Sequence, residues 1–409
     1  MSEEAFRFTW LEDGTVTSPR GFLAGAVYAG IKIAGHDKKD LGVLMSEAPC
    51  AVAGVFTTNR VAAAPVVLSR RRIQGGRPVR GIVFNSGNAN AATGEEGLRA
   101  AHRMTEVTAR RFGGTAEEYL VASTGVIGVP LPVDKVEAGM QRIILRAGAG
   151  HEIARCIMTT DTRPKEAALE VEGPAFSFRI GAIAKGAGMI HPNMATMFCF
   201  LATDAAVDRE ILDAALRRAA DVSFNMISVD GDMSTNDTVI VLANGQAGTP
   251  TIAAGTAEAD AFEHALTQLC IRMAKAIAAD GEGATKLIEV VVDGAASADD
   301  ARRAARAIAS SNLVKTAVYG ADPNWGRIAC AAGYSGAELD ESRLDITIGG
   351  IPTLRSGQVL SYDKGVASAA LRRSEVRIEV NLNLGDHSAT AWGCDLTEGY
   401  VRVNSSYTT

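Results

Sequence analysis

Aromatic residues are scarce, 5% of 409 positions, and the chain has no excess of positive charge: 41 lysines and arginines face 47 aspartates and glutamates, a formal net charge of −6. That balance gives no electrostatic footprint for a nucleic acid. The basic run Ser69-Arg70-Arg71-Arg72 is short and reads as a solvated face. No stretch approaches the roughly 18 uninterrupted apolar residues that suggest a membrane span. The run Lys286 to Asp293 carries charges. The start, Met1-Ser2-Glu3-Glu4-Ala5, lacks the basic and then apolar pattern of a secretory signal, so export is not expected. The six cysteines have no C-x-x-C spacing, which argues against a zinc site or a disulfide scaffold and fits a reducing cytoplasm.

What is present is aliphatic: hydrophobic residues make up 47%, alongside 42 glycines, a globular composition. The length suggests two or three domains. Val- and Ile-rich runs alternate with Ala-, Arg- and Glu-rich stretches, so an α/β or α+β architecture is expected. Short runs bounded by Gly, Ser or Asp predict strands over 81–85, 119–123, 287–292 and 376–382. Apolar residues recurring at three and four predict helices over 95–112, 209–221, 258–279 and 299–310. Gly281, Gly283 and Ala284 then break the pattern, and a domain boundary is expected near residue 285.

The most unusual segment runs from Lys185 to Leu201: a glycine-rich polar loop, Lys-Gly-Ala-Gly-Met-Ile-His-Pro-Asn-Met-Ala-Thr196, entering an apolar strand. It is not a phosphate-binding loop, because there the lysine must follow the glycines and Lys185 precedes them. Two readings stand. Thr196 is one β-branched residue at an ordinary loop-to-strand junction. Alternatively, its hydroxyl attacks the carbonyl of Ala195, and hydrolysis of the resulting ester leaves a new N-terminal threonine. A free α-amino group has a pKa near about 7.7–8.0, so it can serve as general base for the adjacent hydroxyl without a histidine. That matters because the six histidines form no Ser-His-Asp or H-E-x-x-H pattern.

Other segments are less pointed. Val121 to Gly128 ends a strand in a small polar turn where a hydroxyl and a backbone N–H can point together, as acyl transfer requires; on pattern alone a glycine turn needing positive φ is the better reading. Ser228 to Asp237 superficially resembles a calcium loop, but it lacks the glycine at the sixth position and the closing glutamate, so Asx-turns are the better reading. Glu282, between two glycines, reads as part of a turn.

In order along the chain, Phe84 to Asn90, Ser123 to Gly128, Met158 to Thr162, Lys185 to Met197, Val229 to Asp237, Asp280 to Lys286, Asp322 to Arg327 and Val403 to Thr409 resemble the bifunctional ornithine acetyltransferase/N-acetylglutamate synthase family. The resemblance covers essentially the whole chain. It implies a layered α/β sandwich of the kind shared with self-processing aminopeptidases, with a catalytic domain over 1–284 and a smaller α+β domain over 285–409. It implies scission between Ala195 and Thr196 into an α chain (1–195) and a β chain (196–409), assembled as two of each.

The resemblance also implies that Thr196 takes the acetyl group of N2-acetyl-L-ornithine and passes it to L-glutamate, with no cofactor or metal; whether acetyl-CoA is a second donor is left open. Thr124 and Gly125 match the family's oxyanion-hole pair, and Thr159, Lys185, Glu282, Asn404 and Thr409 match its substrate-binding positions. Lys185 then suits a substrate carboxylate and Glu282 an ornithine ammonium. Two rivals are an N-terminal-nucleophile amidase, in which water replaces glutamate, and a binding module without turnover.

Overall fold

The strand Phe198–Thr203 is buried at every position, so its side chains must be covered on both faces. The computed structural model describes residues 6–31, 38–174, 176–191 and 197–406; Ala195, Thr196 and Thr409 lie outside the described residues. On one face, Phe198, Phe200 and Ala202 join Ile183, Ile240 and Leu242 against Leu44, Ile82, Phe84, Leu120 and Ala122. Phe84 and Phe200 meet there with ring centroids 5.4 Å apart. On the other face, Cys199 and Leu201 pack with Leu212, Leu216, Phe262 and Leu266. Each fully buried phenylalanine of this kind is worth roughly 1.5–3 kcal/mol.

These contacts define four layers. Among the described residues, the larger sheet has the order Arg7–Trp10, Lys165–Gly173, Phe176–Lys185, Phe198–Thr203, Thr238–Ala243, Leu41–Phe56, Val79–Asn88 and Tyr119–Val126, with Phe22–Val27 paired beside Leu41–Phe56. The long strand Leu41–Phe56 pairs with Thr238–Ala243 through its second half and with Phe22–Val27 and Val79–Asn88 through its first. Its register with the latter breaks between Met45 and Cys50. One strand thereby turns the sheet into two facing leaves. Helices Arg209–Asp221 and Ala257–Ala279 cover one outer face. Helices Gly94–Phe112 and Val133–Met140 cover the other, where Val43, Val83 and Val121 meet Ala101, Met104 and Val136. The result is the expected layered α/β sandwich.

The helices end where their local chemistry directs. Asp208 accepts from the Glu210 amide at the start of Arg209–Asp221, and Thr256 accepts from Ala259 at the start of Ala257–Ala279. The latter helix stops at Asp280, which places the turn through Glu282 at the end of the sandwich.

A second sheet follows, ordered Gln358–Val359, Ile351–Arg355, Asp345–Ile348, Glu375–Asn381, Leu287–Ala295, His387–Cys394 and Ile227–Ser228. Its last strand comes from before residue 285. Ile288, Val290 and Val292 share one apolar core with Leu201 and Phe262, so burial is continuous across that point. Among the described residues no helix is long and apolar enough to cross a membrane. All six cysteines are free, five of them buried.

Candidate active site

Lys185 ends the strand Phe176–Lys185 and stands beside Phe198 in the antiparallel register. The chain beyond it is tightly held. A Cβ on Gly188 would lie 2.4 Å from the Glu282 carboxyl group, so a side chain there would have to displace that carboxylate. Met189 adopts a left-handed φ of 54°, and its amide and that of Ile190 donate to the Asp230 carboxylate at 2.6 and 2.9 Å. The Val229 amide donates to the Ile190 carbonyl at 2.7 Å. His191 Nδ1 lies 3.1 Å from Ser228 Oγ, and burial, reinforced by Arg306, lowers its pKa. On the far side of Pro192–Thr196, buried Met197 accepts from the Thr238 amide at 2.9 Å and leads into Phe198–Thr203.

Thr124 and Gly125 arrive on the neighbouring leaf, at the end of Tyr119–Val126. Gly125 has φ of 134°, and a Cβ there would sit 2.3 Å from the Gly87 carbonyl carbon and 2.5 Å from the Asn88 nitrogen. Glycine is required for both reasons. The Thr124 hydroxyl accepts from Lys185 Nζ at 3.3 Å. Asn236 fixes the surrounding backbone, donating to Ala89 O at 2.6 Å and Ser123 O at 2.7 Å.

Thr159 comes from the loop after the helix Gly150–Cys156, and its amide donates to Asp161 at 3.0 Å. Glu282 accepts from the Asn404 amide group at 2.7 Å, across from the helix Glu398–Ser406. These segments enclose a cavity of about 260 Å³. Thr124, Gly125, Thr159, Lys185, Glu282 and Asn404 all line it, so six of the expected site residues converge on one space. A larger groove of about 1090 Å³, beside Arg70 and Arg209, contains none of them.

The charges in the cavity are mixed. Burial lowers the pKa of Lys185, with Asp161 acting against the shift. Burial pushes Asp237 well above the usual carboxylate range despite hydrogen bonding from Ser234 and the charge of Lys185, and its Oδ2 finds no partner among the described residues. The Tyr400 phenol is pushed up by burial and then by Asp230 and Asp232. Among the described residues no cluster of three or more histidine, cysteine or acidic side chains is arranged to hold a metal ion. The cavity is therefore equipped to pair a small zwitterionic or doubly charged molecule and to donate hydrogen bonds to it.

Sequence reasoning missed several participants. Asp230 and Asp232 also line the cavity, and Asp232 donates to Asp230 through the Asx-turn that the composition suggested. The density of Asp, Asn, Ser and Thr over 228–237 was the available signal. Tyr400 carried none.

A family model described as the ArgJ family matches residues 23–409. The chain is 53% identical over 399 residues to the arginine biosynthesis bifunctional protein ArgJ of Dehalococcoides mccartyi, covering 98% of each. It is 54% identical over 402 residues to the protein of the same name from Symbiobacterium thermophilum, covering 98% of this chain and 100% of that one. Among solved structures, the arginine biosynthesis bifunctional protein argJ of Bacillus halodurans matches with a TM-score of 0.50 and 47% identity, over 51% of this chain and 98% of its own. On sequence shared across nearly its whole length, the chain belongs to the ArgJ family.

Proposed function

We propose that the chain is a glutamate N-acetyltransferase of arginine biosynthesis, which cuts itself between Ala195 and Thr196 and then moves the acetyl group of N2-acetyl-L-ornithine to L-glutamate through acetyl-Thr196. The observation that carries this reading is the convergence of Thr124, Gly125, Thr159, Lys185, Glu282 and Asn404 on one cavity, bordered by Gly188 and Met189 just before the scission segment. The relatives' shared name supports the pathway. The solved relative matches 51% of this chain with 98% of its own, as one product of a scission near the middle would.

In the first step Thr196 Oγ attacks the Ala195 carbonyl carbon, the C–N bond breaks, and the threonine nitrogen takes the proton. Water hydrolyses the ester, leaving a carboxylate on Ala195 and a free hydroxyl and amine on Thr196. In transfer, that amine accepts the hydroxyl proton as Oγ attacks the acetyl carbonyl. The Thr124 hydroxyl and the Gly125 N–H donate to the developing oxyanion. Collapse expels the α-amine of ornithine with the proton returned to it. The neutral α-amine of glutamate then attacks the ester, and N-acetylglutamate leaves.

Lys185 pairs with a substrate carboxylate and Glu282, steadied by Asn404, with the ornithine ammonium. Thr159, which lines the cavity, and Thr409 are the further substrate-binding residues of this reading. Acetyl-CoA as a second acetyl donor, an assembly of two α and two β chains, and a cytoplasmic location, which the six free cysteines support, belong to the same proposal. The deciding experiment feeds acetylornithine with and without glutamate. Glutamate-dependent release of ornithine with matching N-acetylglutamate is expected; release indifferent to glutamate points to the hydrolase instead. A parallel assay with acetyl-CoA and glutamate separates two donors from one.

A further inference from the structure

Behind the cavity lies a charge cluster that the reaction itself does not use. Lys165, 1% exposed at its side chain, donates to Asp161 at 2.6 Å and to Asp280 at 2.5 Å, and both carboxylates are as buried as it is. The Asp161 carboxylate also accepts from the amides of Gly186 at 2.7 Å and Thr159 at 3.0 Å. Asp280 accepts from the Thr162 amide at 3.1 Å and from its hydroxyl. Three segments distant in sequence, the 159–162 loop, the end of Phe176–Lys185 and the end of Ala257–Ala279, are thus tied to one buried ammonium. Each carries a cavity residue at the tie or within two residues of it: Thr159, Lys185 and Glu282.

We infer that Asp161, Lys165 and Asp280 are positioning residues, which set the spacing of Thr159, Lys185 and Glu282. An amine buried without a counter-charge is driven to its neutral form, and a carboxylate nearby opposes this. The charged groups acting on Lys185 are Asp161, Lys165, Asp237 and Glu282. Asp161 is the strongest of the four and favours the ammonium; Lys165 opposes it. Asp280 hydrogen-bonds to Lys165 and Thr162, whereas Asp161 also accepts from Gly186, the residue next to Lys185. Both hold the geometry, and Asp161 is the foremost of the groups that favour the Lys185 ammonium.

The link to substrate rests on the acetyltransferase reading, but the charge effect on Lys185 does not. Two isosteric variants separate the roles: D161N and D280N. The Lys185 amine is titrated by trace labelling with acetic anhydride across pH, read by mass spectrometry, and acetylornithine–glutamate transfer is measured alongside. D161N is expected to move the Lys185 labelling midpoint down by about one unit. D280N is expected to move it less. Both are expected to raise KM for acetylornithine about tenfold, with a smaller change in kcat.

A merely structural cluster would lower Tm in both variants and move neither the midpoint nor KM, and that result overturns the inference. If D161N does not fold, D280N decides by itself: a raised KM supports the positioning role and an unchanged one refutes it. If the wild type shows no transfer, the functional reading fails, and the Lys185 midpoint in D161N still decides the charge effect.

Discussion

The outer face of the smaller sheet and the cluster behind the cavity treat charge in opposite ways. In the smaller sheet, the strand Glu375–Asn381 alternates cleanly, with Val376, Ile378 and Val380 buried and Arg377 turned outward to Glu289 and Glu379. Its ion pairs sit in water. In the larger sheet, the strands of the sandwich are covered on both faces; of the charged side chains buried there, Asp40 and Asp204 accept from nearby backbone amides, while Asp161, Lys165 and Asp280 form one paired cluster behind the cavity. Removing a charge from water is costly unless it is paired or hydrogen-bonded. The paired charge behind the cavity therefore stands to hold the site together, whereas the half-exposed pairs of Arg377 on the smaller sheet contribute little to stability.

This contrast can be broken or sharpened by substitution. Lys165→Met leaves two buried carboxylates facing each other, and a loss of about 3–5 kcal/mol in denaturant-measured stability is expected. A loss below about 1 kcal/mol would put this cluster on a par with a surface pair. Gly125→Ala forces a methyl group into the Gly87–Asn88 backbone. It is expected to reduce kcat by about 10²–10³ with a lesser effect on KM, as for a displaced oxyanion donor. Unchanged kcat would remove Gly125 from that role.

A smaller effect follows from pH. Burial alone would raise the Asp161 carboxyl, but Lys165 foremost, with Lys185 and the Gly186 amide, holds it at about 2 against an ordinary 3.8. A carboxyl depressed in the folded state contributes stability that is fully present above its unfolded value and is lost as pH falls through its folded value. Asp161 is thus expected to contribute about 2 kcal/mol at neutral pH that disappears between roughly pH 4 and pH 2. Acid unfolding of D161N should lack that increment. The smallest effect belongs to the smaller sheet: Arg377→Ala should cost no more than about 1 kcal/mol, and less in high salt.

Periodic elements were legible in the sequence. The helix expected over 209–221 is Arg209–Asp221, because an amphipathic repeat and the Asp208 cap act within a few residues of each other. The helix expected over 95–112 begins one residue earlier, at Gly94. The four-layer stacking was not legible from pattern, since a strand such as Phe198–Thr203 with both faces buried shows no alternation. Neither was the cluster behind the cavity: Lys165 and Asp280 are 115 residues apart, and only the folded chain makes them neighbours. The resemblance supplied six cavity residues that spacing alone did not bring to a common site. It did not supply Asp161, Asp230 or Tyr400, which act on the cavity from its loops and its walls.

The most direct test is the mass of the purified protein before and after addition of acetylornithine. Two chains are expected, one beginning at Thr196, and that chain alone should gain a single acetyl group, which glutamate removes as N-acetylglutamate. In Thr196→Ala neither the scission nor the acetyl adduct should appear. An uncut chain that transfers acetyl at full rate, or an adduct that forms without Thr196, would contradict the threonine nucleophile.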